Sequence, residues 1–277
     1  MIVISVSNQK GGVGKTTTAC SLSTELALRG YATLLVDGDP QSNATGHFMD
    51  PGQIKRSLSD VIVEIGDMQS PPLKEAITQT EVKGLDIVPS TVRLAMFDLT
   101  PSDSINIMRE KLQEVHEIYD FVIIDNPPSL SQLLMSSLIA STHVLIPVSS
   151  APMSHDGIDD LLNTYKRVST RSNKDLQLLG IVTTMFDTRL GVHGAMHQQT
   201  QERFADLVFD TIIHSNSKLV ESPAFKKPIQ VYAPHSRGAQ NYASLTDEVL
   251  LRLGMNKTND KATEERGSGR ETTATRR

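Results

Sequence analysis

Short runs of apolar, largely β-branched residues recur along the chain and alternate with stretches of helical periodicity. This alternation predicts a parallel sheet wrapped by helices, which is an α/β fold. The runs are apolar throughout rather than at every second position, so we expect strands buried on both faces of a mostly parallel, doubly wound sheet. The predicted strands are residues 2–6, 33–36, 85–88, 121–124, 143–146, 179–183 and 208–213.

Helical periodicity is clearest between and after these runs. Residues 15–28 and 103–118 are predicted helices, and apolar positions spaced by three and four from Ile158 to Val168 predict another. The last helix is predicted to begin near Ser236 and to end at Gly254. Beyond it the chain is polar, so we expect disorder, because too little apolar surface is present to offset the ordering entropy. The sequence predicts one domain over residues 1–254 and a polar tail over 255–277.

Composition excludes several classes of protein. A single Cys rules out an intrachain disulfide and fits a reducing cytoplasm. No apolar run approaches the roughly 20 residues of a membrane-spanning helix, and Asn8, Gln9 and Lys10 interrupt the first apolar stretch, unlike a secretory signal. We therefore expect a cytoplasmic protein without a membrane partner.

The net charge of −5 is unevenly distributed, because the tail carries +2 and residues 1–254 carry −7. A domain this acidic does not attract nucleic acid over its whole surface. Any contact with nucleic acid must be made by a local basic patch.

The first predicted strand is followed by a glycine-rich loop, Gln9-Lys10-Gly11-Gly12-Val13-Gly14-Lys15-Thr16-Thr17, which opens the first helix. Such glycines let backbone N–H groups point at a polyphosphate, and the helix N-terminus adds its positive dipole end. Lys15 would reach the β- and γ-phosphates, and Thr16 would offer its hydroxyl to Mg²⁺. The loop departs from the strict phosphate-loop pattern only at residue 9, which is Gln instead of Gly. We predict that the phosphates are bound by Gly11, Gly12, Val13, Gly14, Lys15, Thr16 and Thr17.

Two predicted strands end in carboxylates. Asp37 and Asp39 follow the second strand, and Asp125 follows the fourth. At the carboxyl edge of a parallel sheet these side chains face the ligand crevice. Asp125, at the end of an apolar strand, has the Walker B arrangement that holds Mg²⁺ directly or through water. The alternative for Asp37 and Asp39 is a strand-ending turn whose carboxylates cap the backbone.

The loop from Lys10 to Thr16 resembles the deviant Walker motif of the ParA/MinD family of ATPases. In that family the first lysine, here Lys10, crosses a dimer interface to the nucleotide of the other subunit. The resemblance also implies that Asp39 positions the attacking water and lies at the metal, and that Asp37 lies near the metal and the phosphate loop. Without the resemblance, Lys10 would be interpreted as a solvated loop lysine.

Further segments extend the resemblance over residues 1–254, namely residues 185–189, 218–229 and 236–242. It implies that Pro223 lies at the nucleotide. Relatives often carry Arg where Ser215 stands, and Cys or Thr where Asn126 stands. The resemblance and their proximity in sequence make four cations candidates for DNA contact, with solvated surface charge as the alternative: Arg189, Lys218, Lys226 and Lys227.

The resemblance implies a Mg-ATP-dependent switch of the short form, without an N-terminal helix-turn-helix. Such a protein dimerises on ATP, binds double-stranded DNA without sequence preference, and is released when a ParB-like adaptor stimulates weak ATP hydrolysis. It segregates plasmid or chromosomal DNA and is associated with the nucleoid. A positioning ATPase for a protein cargo and a metabolic ATP-dependent ligase on the same scaffold remain alternatives. A MinD-like membrane protein is disfavoured, because residues 256–277 lack the apolar face of an amphipathic helix.

Three other side chains carry weaker signals. His193 and His197 have the i, i+4 spacing of metal ligands, but no third ligand is fixed by spacing, so we predict a polar surface helix. Cys20 is predicted to be a buried structural thiol. As the only cysteine, it cannot supply the ligands of an iron–sulfur reductase.

Overall fold

The computed structural model describes residues 1–63, 70–151 and 156–255, apart from the side chains of residues 102, 103, 156 and 157. The strands of these residues are β1 (Ile2–Val6), β2 (Thr33–Asp37), β3 (Thr78–Gln79), β4 (Leu85–Val88), β5 (Phe121–Asp125), β6 (His143–Ser149), β7 (Gln177–Phe186) and β8 (Val208–His214). They form one sheet in the order β3-β4-β2-β5-β1-β6-β7-β8. The pairing of β3 with β4 is antiparallel, and the other pairings are parallel.

The helices of the described residues are α1 (Lys15–Leu28), α2 (Asn43–Gly46), α3 (Leu58–Ile62), α4 (Ile107–Gln113), α5 (Gln132–Ala140), α6 (Asp156–Arg171), α7 (Gly191–Phe204), α8 (Ser217–Glu221), α9 (Ile229–Tyr232) and α10 (Arg237–Arg252). None of them is long and apolar enough to cross a membrane. From residue 256 onward the predicted tail lies outside the described residues.

The predicted fold class is confirmed. All seven predicted strands are present, and every residue of β2 and β5 is buried, as expected for strands covered on both faces. The structure adds the two-residue edge strand β3, which is too short to produce a sequence pattern. The last helix begins after Ser236, whose side chain accepts a hydrogen bond from Ala239 N at 3.2 Å, and Gly254 follows it with a φ of 71°.

The predicted helix over 103–118 is wrong in its extent. The α-helical part is α4 alone, preceded by a 3-10 helix over Ser102–Asn106 and followed by turns. Short polar residues such as Ser and Asn offer local hydrogen bonds that compete with an α-helix, which accounts for the late start. Ile118, the last apolar residue of the predicted range, is 47% exposed.

Three clusters of buried side chains hold the layers together. One lies under α1 and α10 and includes Leu22, Phe121 and Leu245. The other two cover the opposite face of the sheet under α3 to α6. Apolar burial on both faces fixes the central strands, and their carboxyl ends form a rigid edge from which loops project.

The end of α10 is fastened to the strands at the far edge of the sheet by Arg252. Its guanidinium donates to Leu179 O at 3.1 Å, to Leu207 O at 3.2 Å and to Val208 O at 2.7 Å. The guanidinium carbon also lies 3.8 Å from the centroid of the Phe209 ring. Arg252 thus ties the end of α10 to the amino-terminal ends of β7 and β8, at the edge of the sheet opposite the phosphate loop.

Replacing Arg252 with Met is expected to lower the free energy of unfolding by about 2–4 kcal/mol, because several buried carbonyls lose a charged donor. Urea denaturation measures the change. The matched control is Arg203→Met, which removes the exposed pair with Asp159 and should cost less than about 1 kcal/mol. Equal losses in the two variants would contradict the bridging role of Arg252.

Candidate nucleotide-binding site

The phosphate loop spans the gap between β1 and α1 and is anchored at its start. Gly12 and Gly14 have φ values of 72° and 83°, in the left-handed region that glycine adopts without strain. Lys10 N donates to Asn8 Oδ1 at 2.9 Å. Asn8 Nδ2 donates in turn to Pro147 O at 2.8 Å, so the loop is tied to the neighbouring strand β6. These two bonds fix the start of the loop at the carboxyl edge of the sheet.

Lys15 is folded back over this loop. Its side chain is buried, and Nζ donates to Lys10 O at 3.0 Å. Burial lowers the pKa of Lys15, and the charges of Asp125 and Asp39 act in the opposite direction. A phosphate placed on the loop would offer Lys15 a far stronger acceptor than a carbonyl.

Asp125 is a buried carboxylate without a hydrogen-bond partner on either oxygen among the described residues. Burial and the neighbouring Asp37 raise its pKa well above the usual range, while the nearby Thr16 hydroxyl acts against the shift. A charge in such a position is costly unless a cation or donor meets it. The orphaned oxygens and the Thr16 hydroxyl are the hard oxygen donors that fit Mg²⁺.

Protein ligands alone do not complete a metal site here. In the parts of the chain that the structure describes, no group of three or more His, Cys, Asp or Glu side chains could hold a metal ion. Mg²⁺ is commonly bound by one or two carboxylates, water and substrate phosphates rather than by an all-protein cage. The residues present therefore fit a Mg²⁺ that arrives with a nucleotide.

Asp37 lies opposite Asp125 in the register of β2 and β5, but its oxygens are satisfied. Oδ2 accepts from Thr45 N and Thr45 Oγ1, both at 2.7 Å, and Oδ1 accepts from Asp39 N at 3.2 Å. Burial raises the pKa of Asp37 to about 6 against these hydrogen bonds. Asp39 Oδ1 accepts from Gln41 N at 2.9 Å. Both aspartates thus cap local backbone, and Asp39 also acts electrostatically on Lys15.

A cavity of about 530 Å³ opens beside the loop. It brings together Gly14, Thr17 and Pro223, three of the residues predicted to bind the nucleotide. Sequence analysis missed most of its walls, which come from distant segments and carry no local motif. Thr184 Oγ1 donates to Val13 O at 2.9 Å and so fixes the loop against β7. The remaining walls are Met185, Ile213, His214, Ser215, Asn216, Ser217, Leu219, Val220 and Tyr242.

The four candidate DNA-binding cations lie outside this cavity, on exposed segments. Arg189 is bound to Asp187 at 2.7 Å and holds the pKa of that carboxyl well below its usual range. Lys218 Nζ donates to Glu221 Oε2 at 2.7 Å. The remaining two candidates are Lys226, which is paired with Asp50, and the exposed Lys227.

His193 and His197 lie on the mostly exposed helix α7 and flank Phe186. His193 Nδ1 accepts from Asp187 N at 2.9 Å, and His197 Nδ1 lies 2.8 Å from Thr183 Oγ1. His193 therefore holds the start of the loop after β7, and His197 holds α7 against β7 itself. Both side chains have structural contacts. Cys20 is buried, and burial raises its pKa.

A glycine-rich loop between the first strand and helix, with an aspartate ending an adjacent parallel strand, defines a P-loop nucleotide-binding protein. A family model described as an AAA domain matches residues 1–178. The sporulation initiation inhibitor protein Soj of Bacillus subtilis (strain 168) is 39% identical over 251 residues, which cover 89% of this chain and 97% of Soj. The chromosome partitioning protein ParA of Caulobacter vibrioides (strain NA1000 / CB15N) is 34% identical over 256 residues, covering 90% and 94%. The chain belongs to the ParA-type family of P-loop ATPases.

A solved structure agrees with the fold and with the predicted cofactors. Cobyrinic acid a,c-diamide synthase from Mycobacterium smegmatis, with bound ATP analog and magnesium, has a TM-score of 0.77 and 29% identity. The match covers 92% of this chain and 96% of that one. Nucleotide and Mg²⁺ are the pair that the phosphate loop and Asp125 were predicted to hold.

Replacing Asp125 with Asn should separate stability from function. Without nucleotide and Mg²⁺, removal of a buried, unpartnered charge is expected to raise the free energy of unfolding by about 1–3 kcal/mol. The same variant should lose Mg²⁺-dependent ATP hydrolysis, because the carboxylate predicted to hold Mg²⁺ is gone. Urea denaturation and phosphate release measure the two effects. A variant that is less stable yet hydrolyses ATP normally would contradict the assignment.

Proposed function

We propose that this protein is a Mg-ATP-dependent switch that dimerises on ATP, binds DNA without sequence preference, and positions or segregates plasmid or chromosomal DNA. The observation that carries the proposal is an additional lysine in the phosphate loop, Lys10, which precedes Lys15 by five residues. The near-full-length similarity to Soj and ParA supports the same function. Release would follow slow ATP hydrolysis stimulated by a ParB-like adaptor, and the protein would be associated with the nucleoid.

ATP binding is the first step. The loop glycines present backbone N–H groups to the phosphates, and Lys15 exchanges its bond to Lys10 O for the β- and γ-phosphate oxygens. The cavity beside Thr17 and Pro223 is large enough to enclose the remainder of the nucleotide. Phosphate oxygens are stronger acceptors for the buried ammonium of Lys15 than the Lys10 carbonyl is. ATP binding would therefore also stabilise this lysine.

Thr16, Asp125 and Asp39 would hold Mg²⁺, which supplies charge neutralisation on the β- and γ-phosphates when it is bound. Asp39 would also orient the attacking water. Its place on the backbone turn after β2, fixed by the bond from Gln41 N, presents the carboxylate to the same volume as Lys15 and Asp125.

Dimerisation depends on Lys10. Its backbone N–H is fixed by Asn8 and its side chain is half-buried. We place the interface with a second subunit at this end of the phosphate loop. Across that interface its ammonium would neutralise charge on the nucleotide of the partner. ATP would then bridge the two loops, and the dimer would join two half-sites for DNA.

Lys10→Ala should bind nucleotide but fail to form the ATP-dependent dimer, because the charge that acts in trans is absent. Lys15→Ala is the matched comparison and should lose nucleotide binding itself. Fluorescent ATP binding and sedimentation with a non-hydrolysable ATP analogue distinguish the variants. A Lys10→Ala protein with a normal dimer and normal turnover would make Lys10 an ordinary solvated lysine.

DNA binding is assigned to the exposed cations near the end of β7 and on α8. Arg189 is 86% exposed at its side chain, and Lys218 is 48% exposed. The pair of Lys218 with Glu221 is exposed at both side chains and contributes little, so a DNA phosphate can take the place of that carboxylate. Arg189 is held more firmly, because Nε and Nη2 both donate to Asp187, and a DNA phosphate would meet the exposed remainder of its guanidinium. Lys226 and Lys227 are two further exposed cations. Doubling all four in a dimer would raise non-specific affinity steeply through counterion release.

The Arg189→Ala, Lys218→Ala double variant should bind unrelated DNA sequences equally weakly, since phosphate contacts carry no base identity. The slope of log affinity against log salt should become shallower by about 1 for each lost contact. ATP binding and dimerisation should not change. The control is Lys166→Ala, Arg167→Ala, which removes two exposed cations of α6. Wild-type affinity and slope in the first variant would place the DNA surface elsewhere.

A metabolic ATP-dependent ligase is the second candidate, favoured by the similarity to the synthase structure. Cys20 argues against one such ligase, an amide-forming enzyme that takes nitrogen from glutamine through a cysteine nucleophile. Its thiol is buried and burial raises its pKa, so it is poorly suited to act as a nucleophile. ATP-dependent, salt-sensitive retention of the protein on DNA distinguishes the two functions. A protein cargo in place of DNA would instead be chosen by the adaptor.

A further inference from the structure

An exposed aromatic ring stands on the last residue of the short 3-10 helix Ser222–Phe225, directly before two lysines in the chain. Phe225 is 60% exposed, and its ring stacks on that of Tyr232 with centroids 4.9 Å apart and planes inclined by 22°. Tyr232 is itself held, because its Oη donates to Glu221 Oε2 at 2.9 Å and its ring faces Lys218 Nζ at 5.8 Å. The Phe225 ring is thus presented to solvent on a support instead of being folded into the core.

The next residue adds a second unusual feature. Lys226 has a φ of 52°, a left-handed conformation that costs any residue with a Cβ and that glycine adopts freely. It ends the short 3-10 helix Ser222–Phe225, where a glycine would serve better. A lysine in place of glycine at such a position points to a use for its side chain.

Charge identifies the partner of this surface. Lys218 Nζ faces the Tyr232 ring, and the exposed Lys226 and Lys227 follow Phe225 directly in the chain. Lys218 and Lys226 are held by Glu221 and Asp50 in exposed ion pairs that a phosphate can replace. An exposed apolar ring beside these lysines matches a polyanion that also offers apolar surface. Double-stranded DNA does so, through its sugars and base edges between two rows of phosphates.

We propose that Phe225 is an apolar DNA contact, packed against sugars and base edges of a groove while the neighbouring lysines hold phosphates. This inference rests on the proposed function, because it assigns a further contact to the same DNA-binding face. It also distinguishes Phe225 from the lysines, since an apolar contact releases no counterions.

The full-length protein with Mg²⁺ and a non-hydrolysable ATP analogue, titrated with two unrelated DNA duplexes, tests the proposal. Phe225→Ala should bind both about tenfold more weakly, as expected for the loss of one apolar contact. Its salt slope, nucleotide affinity and dimerisation should equal those of the wild type. Phe225→Leu should recover most of the affinity. The matched control is Leu251→Ala, which shortens an equally exposed apolar side chain on α10 and should change nothing.

Lys226→Gly provides an independent test. Glycine relieves the left-handed backbone, so the midpoint of urea denaturation should not fall. The variant should bind DNA more weakly, with a slope shallower by about 1. Asp50→Asn, which frees Lys226 from its carboxylate, should bind DNA more tightly. If Lys226 served only its pair with Asp50, both variants would lose stability and DNA affinity would not respond.

Several results would overturn the inference while leaving the proposed function standing. One is a Phe225→Ala protein that binds DNA as tightly as the wild type does. Another is a Phe225→Ala protein that loses DNA affinity and dimerisation together. Loss of binding to phosphatidylglycerol vesicles with DNA binding intact would assign the ring to a membrane surface instead. If the wild type itself fails to bind DNA in the presence of ATP, the proposed function fails.

Discussion

Three carboxylates and one lysine are confined to a single buried volume at the carboxyl edge of the sheet, and the rest of the site depends on this arrangement. The register of β2 and β5 places Asp37 opposite Asp125. Gly38 allows the two strand ends to approach, since a Cβ there would lie 2.7 Å from Asp125 O. Burial raises the pKa of both Asp37 and Asp125, and the charge of Lys15 offsets only part of the shift at Asp125. The fold therefore carries an electrostatic cost that bound phosphate and a divalent cation would relieve, which is the property a nucleotide switch requires.

The aspartates at the ends of β2 and β5 look equivalent in sequence, but the structure gives them different tasks. Asp37 has its oxygens on Thr45 and on the backbone of Asp39, so it orders the turn that carries Asp39 and α2. Asp125 has no such partners among the described residues. A satisfied carboxylate positions its neighbours, whereas an unsatisfied one is available to a ligand. Asp37 remains a predicted cofactor-binding residue, and its contacts favour an indirect contribution through Asp39.

Sequence analysis predicted what is encoded locally. The apolar strands, the phosphate loop and Asp125 are each contained in a few consecutive residues, and the strand ends bring the last two together. The cavity beside the loop could not be predicted in the same way, because Thr184 and Tyr242 meet Gly14 only after β7 and α10 have packed. Pro223 was found through the family resemblance and not through its own chemistry. The extent of α4 was missed because apolar spacing continued past the end of the helix, to a residue that the fold leaves exposed.

The nucleotide cavity and the proposed DNA surface are built from the same short segments. Met185 lines the cavity with a φ of 55°, and the loop that carries Arg189 begins two residues later. Ser217 and Leu219 line it on either side of Lys218 in sequence, and Pro223 lines it two residues before Phe225. A nucleotide in the cavity would therefore contact segments whose next residues are the ones proposed to bind DNA. Coupling between the cavity and the proposed DNA surface would therefore need no long pathway. It requires only that these segments are less restrained when the cavity is empty than when a nucleotide occupies it.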